Sequence, residues 1–166
     1  MPLEEQNRSN VDIFKKERYH APEQWYDLSG EPFSPQTNYA IGGNTKIWGT
    51  VLMRMRDRDF ELVEHEKGVS PEWCLKYSDF EPFYTEAEQL YKVHGKVTDD
   101  PTEPPHGADY PYTAVEHDEQ VKDVVDAIAQ QGLHPSYLPL ALTGQEDDPT
   151  NDAEVSGIAP AMQSPN

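Results

Sequence analysis

A single cysteine, Cys74, serves the whole 166-residue chain, which excludes an internal disulfide and a cluster of thiolate-ligated metal. Basic residues are scarce as well: 13 Lys and Arg stand against 31 Asp and Glu, for a formal charge of -18. Such a surface repels nucleic acid and anionic membranes, so neither is expected as a partner. A solubilising surface is the plain meaning of the charge, and adaptation to a saline habitat the sharper one. No apolar run approaches the ~18 residues of a membrane span. The opening Met1-Pro2-Leu3-Glu4-Glu5-Gln6 lacks the basic and then apolar pattern of a secretory leader. A soluble, cytoplasmic chain is expected.

Apolar residues are thin too, at 36%, and 15 prolines each remove a backbone donor. The expected fold class is α+β, mainly helical and irregular, with long loops and at most a few short strands. There is no Gly-x-Ser-x-Gly and no phosphate-binding loop ending in Lys-Ser or Lys-Thr. Histidines 20, 65, 94, 106, 117 and 134 are scattered, with no i, i+4 pair beside a carboxylate, so no metal site is assigned. No catalytic residue is assigned either.

Two principal helices are predicted. The first runs from about Asp79 to His94, opened by a Ser78-x-x-Glu81 capping box, with Pro82 in its first turn. Phe80, Phe83, Tyr84, Ala87, Leu90 and Tyr91 recur at spacings of three and four and give it one apolar stripe. Gly95 reads as its left-handed stop, His94 as a favourable charge near its end, and Glu81, Glu86 and Glu88 as solvated charges. The second helix runs from about Asp118 to Gln131, with Val121, Val124, Val125, Ile128 and Ala129 on its buried face and Gly132 ending it. A short helix over Ile13–Tyr19, a strand within Lys46–Met53, an extended Pro-rich connector over 96–115, and mobile segments near 1–12 and 143–152 complete the expectation.

The most informative segment is Ile41-Gly42-Gly43-Asn44-Thr45-Lys46-Ile47-Trp48 with Arg54 following. Paired glycines let main-chain N–H groups approach a flat or anionic ligand with no side chain between. The same residues are ordinary turn chemistry. Downstream come Asp59-Phe60-Glu61, Pro71-Glu72-Trp73, Tyr77-Ser78-Asp79-Phe80-Glu81-Pro82-Phe83-Tyr84 and, near the end, Asp152-Ala153-Glu154. In order and spacing these resemble the glucose-methanol-choline (GMC) oxidoreductases, nearest the pyranose oxidase and gluconate dehydrogenase branch.

That resemblance implies an FAD-dependent enzyme that moves hydride from a CH–OH group of an alcohol or sugar to the flavin. It implies cofactor contacts at Gly42, Gly43, Asn44, Thr45 and Trp48. With no histidine beside the glycines, the FAD would be held noncovalently. Residues 1–40 hold no Gly-x-Gly-x-x-Gly turn, and the family's C-terminal catalytic region has no counterpart here. The expectation is therefore that residues 1–166 form one internal piece of a larger GMC fold, inactive alone, whose partner is the remainder of the flavoenzyme. A stand-alone acidic module that stacks carbohydrate on Trp25, Tyr26, Trp48 and Trp73 is the alternative. A purely structural module is the third reading.

Overall fold

The computed structural model describes residues 24–34, 41–144 and 151–165. The helix expected over 13–19, the segment 1–12 and residues 145–150 of the mobile segment expected near 143–152 lie outside them; at the far end of that segment Asn151 and Asp152 are fully buried, against the expectation. The chain forms two compact units, one of residues 1–50 with 143–166 and the other of Val51–Leu142. Within the described residues the class is α+β, as expected: short helices, strands of two or three residues, and much irregular chain.

In the first unit, Trp25–Tyr26 (β1) and Pro32–Phe33 (β2) make a minimal antiparallel hairpin. Its turn is fixed by Asp27, whose Oδ1 accepts from the N–H groups of Ser29 and Glu31 at 2.8 and 2.9 Å. A 3-10 turn covers Gly43–Ile47, and a single wide π turn, Glu154–Ile158, runs into the short helix Ala159–Met162 (labelled α3 below). The strand expected within 46–53 is absent. Gly42, Gly43 and Gly49 all have positive φ and coil the chain, and Val51, the first residue of the second unit, makes only one isolated bridge, to Leu140 of the same unit.

The second unit opens with a 3-10 turn, Asp57–Phe60, and the hairpin Val63–His65 (β3) with Gly68–Ser70 (β4). Helix α1 spans Tyr77–Leu90 and α2 spans Glu119–Ala129. Strand Val93–Gly95 (β5) lies between Tyr112–Thr113 (β6), parallel to it, and Leu140–Ala141 (β7), antiparallel. The connector expected over 96–115 thus contributes a strand. Phe60 sits at the aromatic centre, its ring centroid 5.6 Å from that of Trp73, 6.4 Å from Tyr77 and 5.3 Å from Phe80.

Helix α1 departs from its expected form in four ways. It starts two residues early, because Asp79 rather than Ser78 closes the end, its carboxylate accepting from Lys76 N–H at 2.8 Å. Pro82 therefore falls inside the helix, not in its first turn. The helix ends at Leu90, and the left-handed residue after it is Lys92 (φ 52) rather than Gly95. His94 and Gly95 belong to β5, so His94 is no helix-end charge. Gly95 is required for space: a Cβ there would lie 2.7 Å from the Tyr110 ring. Gly95→Ala is expected to destabilise this unit by about 1–3 kcal/mol through overpacking, measured by urea unfolding.

Helix α2 matches its expected start and ends two residues before the expected Gln131. Asp118 caps it by accepting from Val121 N–H at 2.9 Å, and Gly132 leaves it at φ 78. Its apolar face is not buried as expected. Val121 is 43% exposed, Val124 57% and Ile128 36%, and no residue of the helix is buried. Phe83 and Leu90 on α1 are also exposed. Among the described residues the buried hydrophobic core is five side chains: Phe60, Tyr77, Val93, Ala114 and Ala141.

Candidate functional site

The glycine segment folds as a hook. Gly42 (φ 87) and Gly43 (φ 57) both take the left-handed conformation, which most side chains resist. Gly42 has a second reason to be glycine, since a Cβ there would meet the Glu154 main-chain nitrogen at 3.3 Å. Thr45 closes the hook: its N–H and its hydroxyl both donate to Gly42 C=O, at 3.2 and 2.6 Å. The same hydroxyl accepts from Ala153 N–H at 3.1 Å. A threonine thereby ties the glycine motif to the Asp152-Ala153-Glu154 motif, 108 residues along the chain.

Lys46 is the residue that makes this junction firm. Its Nζ lies 2.6 Å from Asp152 Oδ2 and 2.6 Å from Glu154 Oε2. Lys46 is 2% exposed and Asp152 fully buried. Burial alone would push the ammonium pKa down, but the two carboxylates outweigh it and hold the value above the usual 10.5. Asp152 uses its other oxygen to accept from the N–H groups of Glu154 and Val155, at 2.9 and 3.1 Å, and so caps the turn that follows.

All five expected cofactor-contact residues thus lie on one turn, in the first unit. Gly42, Gly43, Thr45 and Trp48 are half-buried and Asn44 is exposed. Trp48 is the residue that ends the 3-10 turn. The arrangement presents consecutive glycines whose main chain no Cβ shields, backed by a rigid ion cluster.

A second buried cluster, in the second unit, centres on Arg54. All five guanidinium donors are used: Nε to Glu88 Oε1 (2.7 Å), Nη2 to Glu88 Oε2 (2.7 Å) and Thr85 Oγ1 (3.1 Å), and Nη1 to Tyr77 Oη (2.9 Å) and Glu81 Oε1 (3.2 Å). The expectation of solvated glutamates fails for two of the three. Glu88 is 4% exposed because the bidentate guanidinium compensates its charge. Glu81 also accepts from Gly107 N–H at 2.8 Å, and that bond, with Thr85 and Arg54, holds its carboxyl below the usual range. Tyr77 completes the cluster by donating to Pro105 C=O at 2.8 Å.

Next to this cluster His106 is almost completely enclosed, its side chain 4% exposed. Burial, reinforced by the Arg54 charge, pushes its pKa below 6.5 despite Glu88, Glu103 and Glu81 nearby. At neutral pH His106 is mostly uncharged in the unfolded chain and more completely so in the folded one. As pH falls below 6.5 the unfolded chain takes up the proton first, so stability from this residue is lost towards the lower folded value. Urea midpoints of the second unit are therefore expected to fall as pH drops from 7 to 5, Glu81 adding to the loss below 4.5. A midpoint flat across that range would contradict the placement of His106.

Among the described residues no group of three His, Cys, Asp or Glu side chains is placed to hold a metal ion. No described helix is long and apolar enough to cross a membrane. No protein-family model and no curated protein matches the chain.

Proposed function

We propose that this chain is the flavin-facing internal part of an FAD-dependent GMC oxidoreductase acting on a CH–OH group of an alcohol or sugar. The hook Gly42–Trp48 would lie against the noncovalently held isoalloxazine. Polypeptide outside these residues would grip the FAD pyrophosphate and supply the catalytic base. One observation carries the reading. The two motifs that resemble the family at opposite ends of the chain, Gly42-Gly43-Asn44-Thr45 and Asp152-Ala153-Glu154, are bonded to each other through Thr45 and Lys46. A resemblance carried only by chance matches gives no reason for them to meet.

The sparse core supports the same reading. Five buried apolar side chains stand against exposed Trp25, Tyr26, Phe33, Trp73, Phe83 and Leu90, the composition of a body covered by further polypeptide. On this reading the protein's task is to position the substrate carbon against the ring and keep water out, while the flavin supplies the hydride acceptor.

The test is to express the polypeptide in its complete genomic context and record its absorbance. Oxidised-flavin bands that bleach anaerobically with a primary alcohol or an aldose are the expected result. A colourless, correctly folded product would sink the proposal. The exposed Trp25 and Tyr26 on the β1–β2 hairpin favour a second reading, a carbohydrate-binding module. Saturable quenching of tryptophan fluorescence by sugar in a flavin-free product would select it.

A further inference from the structure

Residues 105–107 lie on the surface of the second unit, with Pro105 and Gly107 exposed, yet they drive one side chain inward. The His106 side chain is 4% exposed, and its ring stands 4.9 Å, centroid to centroid, from that of Tyr110. Two hydrogen bonds clamp the main chain on either side of it, both to α1. Pro105 C=O accepts from the Tyr77 hydroxyl at 2.8 Å, and Gly107 N–H donates to Glu81 Oε1 at 2.8 Å. Pro104 and Pro105 have no N–H to offer, so the stretch has few further ties to make. Glu103, Pro104 and His106 also line a cavity open to solvent, which puts water close to one side of the stretch.

The enclosed ring is set up to stay neutral. Its Nε2 faces Glu103 Oε1 at 3.4 Å, and the proton of the neutral ring sits on that side. Nδ1 is buried, with no hydrogen-bond partner among the described residues. A second proton belongs on Nδ1, where it would meet no acceptor, a costly state for a charged donor. The charges around the ring do not relieve this. Arg54 repels an imidazolium, while Glu88, Glu103 and Glu81 attract one. Those carboxylates are already engaged: Glu88 through both oxygens with Arg54, Glu81 with Gly107, Thr85 and Arg54, and Glu103 Oε2 with Thr98. In water the same ring takes its second proton at no such cost.

We propose that residues 105–107 form an acid-operated latch: His106 takes up its second proton only with the ring swung out to water, which frees Pro105 from Tyr77 and Gly107 from Glu81 and uncovers one side of the Arg54 cluster. The clamp does not titrate in the same range, because Glu81 is held below the usual carboxylate value and keeps its charge down to pH 5. The trigger is the buried imidazole alone. With two main-chain ties to break, the latch opens locally, leaving α1 and the sheet folded.

A histidine of ordinary pKa, 6.5, gains a factor of about 25 in statistical weight from its charged form between pH 7 and pH 5. The frequency of opening is expected to rise by up to that factor, read by NMR from the exchange of the Gly107 amide relative to its chemical rate at each pH. Amides in the middle of α1, such as Ala87, are expected to stay at least about tenfold better protected than Gly107 at both pH values. His106→Phe keeps the bulk of the ring and removes its titration, so opening at Gly107 should then vary by no more than about twofold over the same range. Three results would each overturn the latch: Gly107 exchanging in step with Ala87, the full pH dependence persisting in His106→Phe, or a His106 ring that titrates in the parent chain while Gly107 stays protected. The last requires no variant to fold. None of these readings involves flavin, so the latch stands or falls apart from the proposed oxidoreductase role.

Discussion

Replacing Arg54 by methionine is expected to destabilise the second unit by about 3–5 kcal/mol, a large share of the roughly 5–15 kcal/mol that holds a typical domain folded. The cause is what the substitution leaves behind. Glu88 loses both of its close partners while 4% exposed, and Tyr77, Glu81 and Thr85 each lose a hydrogen bond. An uncompensated buried carboxylate has no favourable state except protonation, so the variant should recover stability as pH falls. Arg54 itself stays charged, burial opposing and Glu88 and Tyr77 favouring its proton, so the parent shows no such recovery. Urea unfolding followed through Trp73 measures the loss. Combining Arg54→Met with Glu88→Leu should return more than half of it, because removing both charges removes the penalty. A double variant as unstable as the single would show that packing, not charge, holds the cluster.

Lys46→Met is expected to cost the first unit a similar amount, about 3–5 kcal/mol at neutral pH. Asp152 and Glu154 each approach Lys46 Nζ to 2.6 Å, and without it two poorly hydrated carboxylates face each other. Their proton affinity in the folded variant must rise, so the folded state binds more protons than the unfolded one and stability increases on acidification. The parent behaves differently. Its Lys46 pKa lies above 10.5, so the contribution is complete at neutral pH and is lost only as pH rises through that higher value. Fluorescence of Trp48, which caps the turn carrying Lys46, reports the change. Insensitivity of the variant's midpoint between pH 7 and 5 would refute the burial of these carboxylates.

Much of the local structure was legible in the residues, and much of the long-range structure was not. Asp118 and Gly132 bound α2 because capping chemistry acts within a few residues and leaves a readable mark. The start of α1 was misplaced by two positions because Ser78 and Asp79 are both good caps, and packing of Tyr77 onto Phe60 favours the earlier one. Val121, Val124 and Ile128 share an apolar face that is exposed rather than buried as expected, because nothing in a periodic pattern states what will cover it.

The buried ions were the largest omission. Glu88 looks like any helical surface carboxylate until Arg54, 34 residues earlier, is placed against it. The signal available was weak: Arg54 follows the apolar Val51-Leu52-Met53, but Arg56 and Arg58 come two and four residues later. Lys46, between Thr45 and Ile47 in the motif, carried as weak a hint for Asp152.

The division of the chain has a kinetic consequence. Residues 51–142 leave and return at one neck, where Val51 bridges Leu140 and Leu52 N–H donates to Pro139 C=O at 2.9 Å. Closing a loop that long costs entropy that grows only with the logarithm of its length, and here the excursion's own folding performs the closure. On a ribosome the excursion finishes first, and the Lys46 ammonium waits for acids made more than a hundred residues later. Refolding should then show two phases in tryptophan fluorescence, the signal of Trp73 settling before that of Trp48.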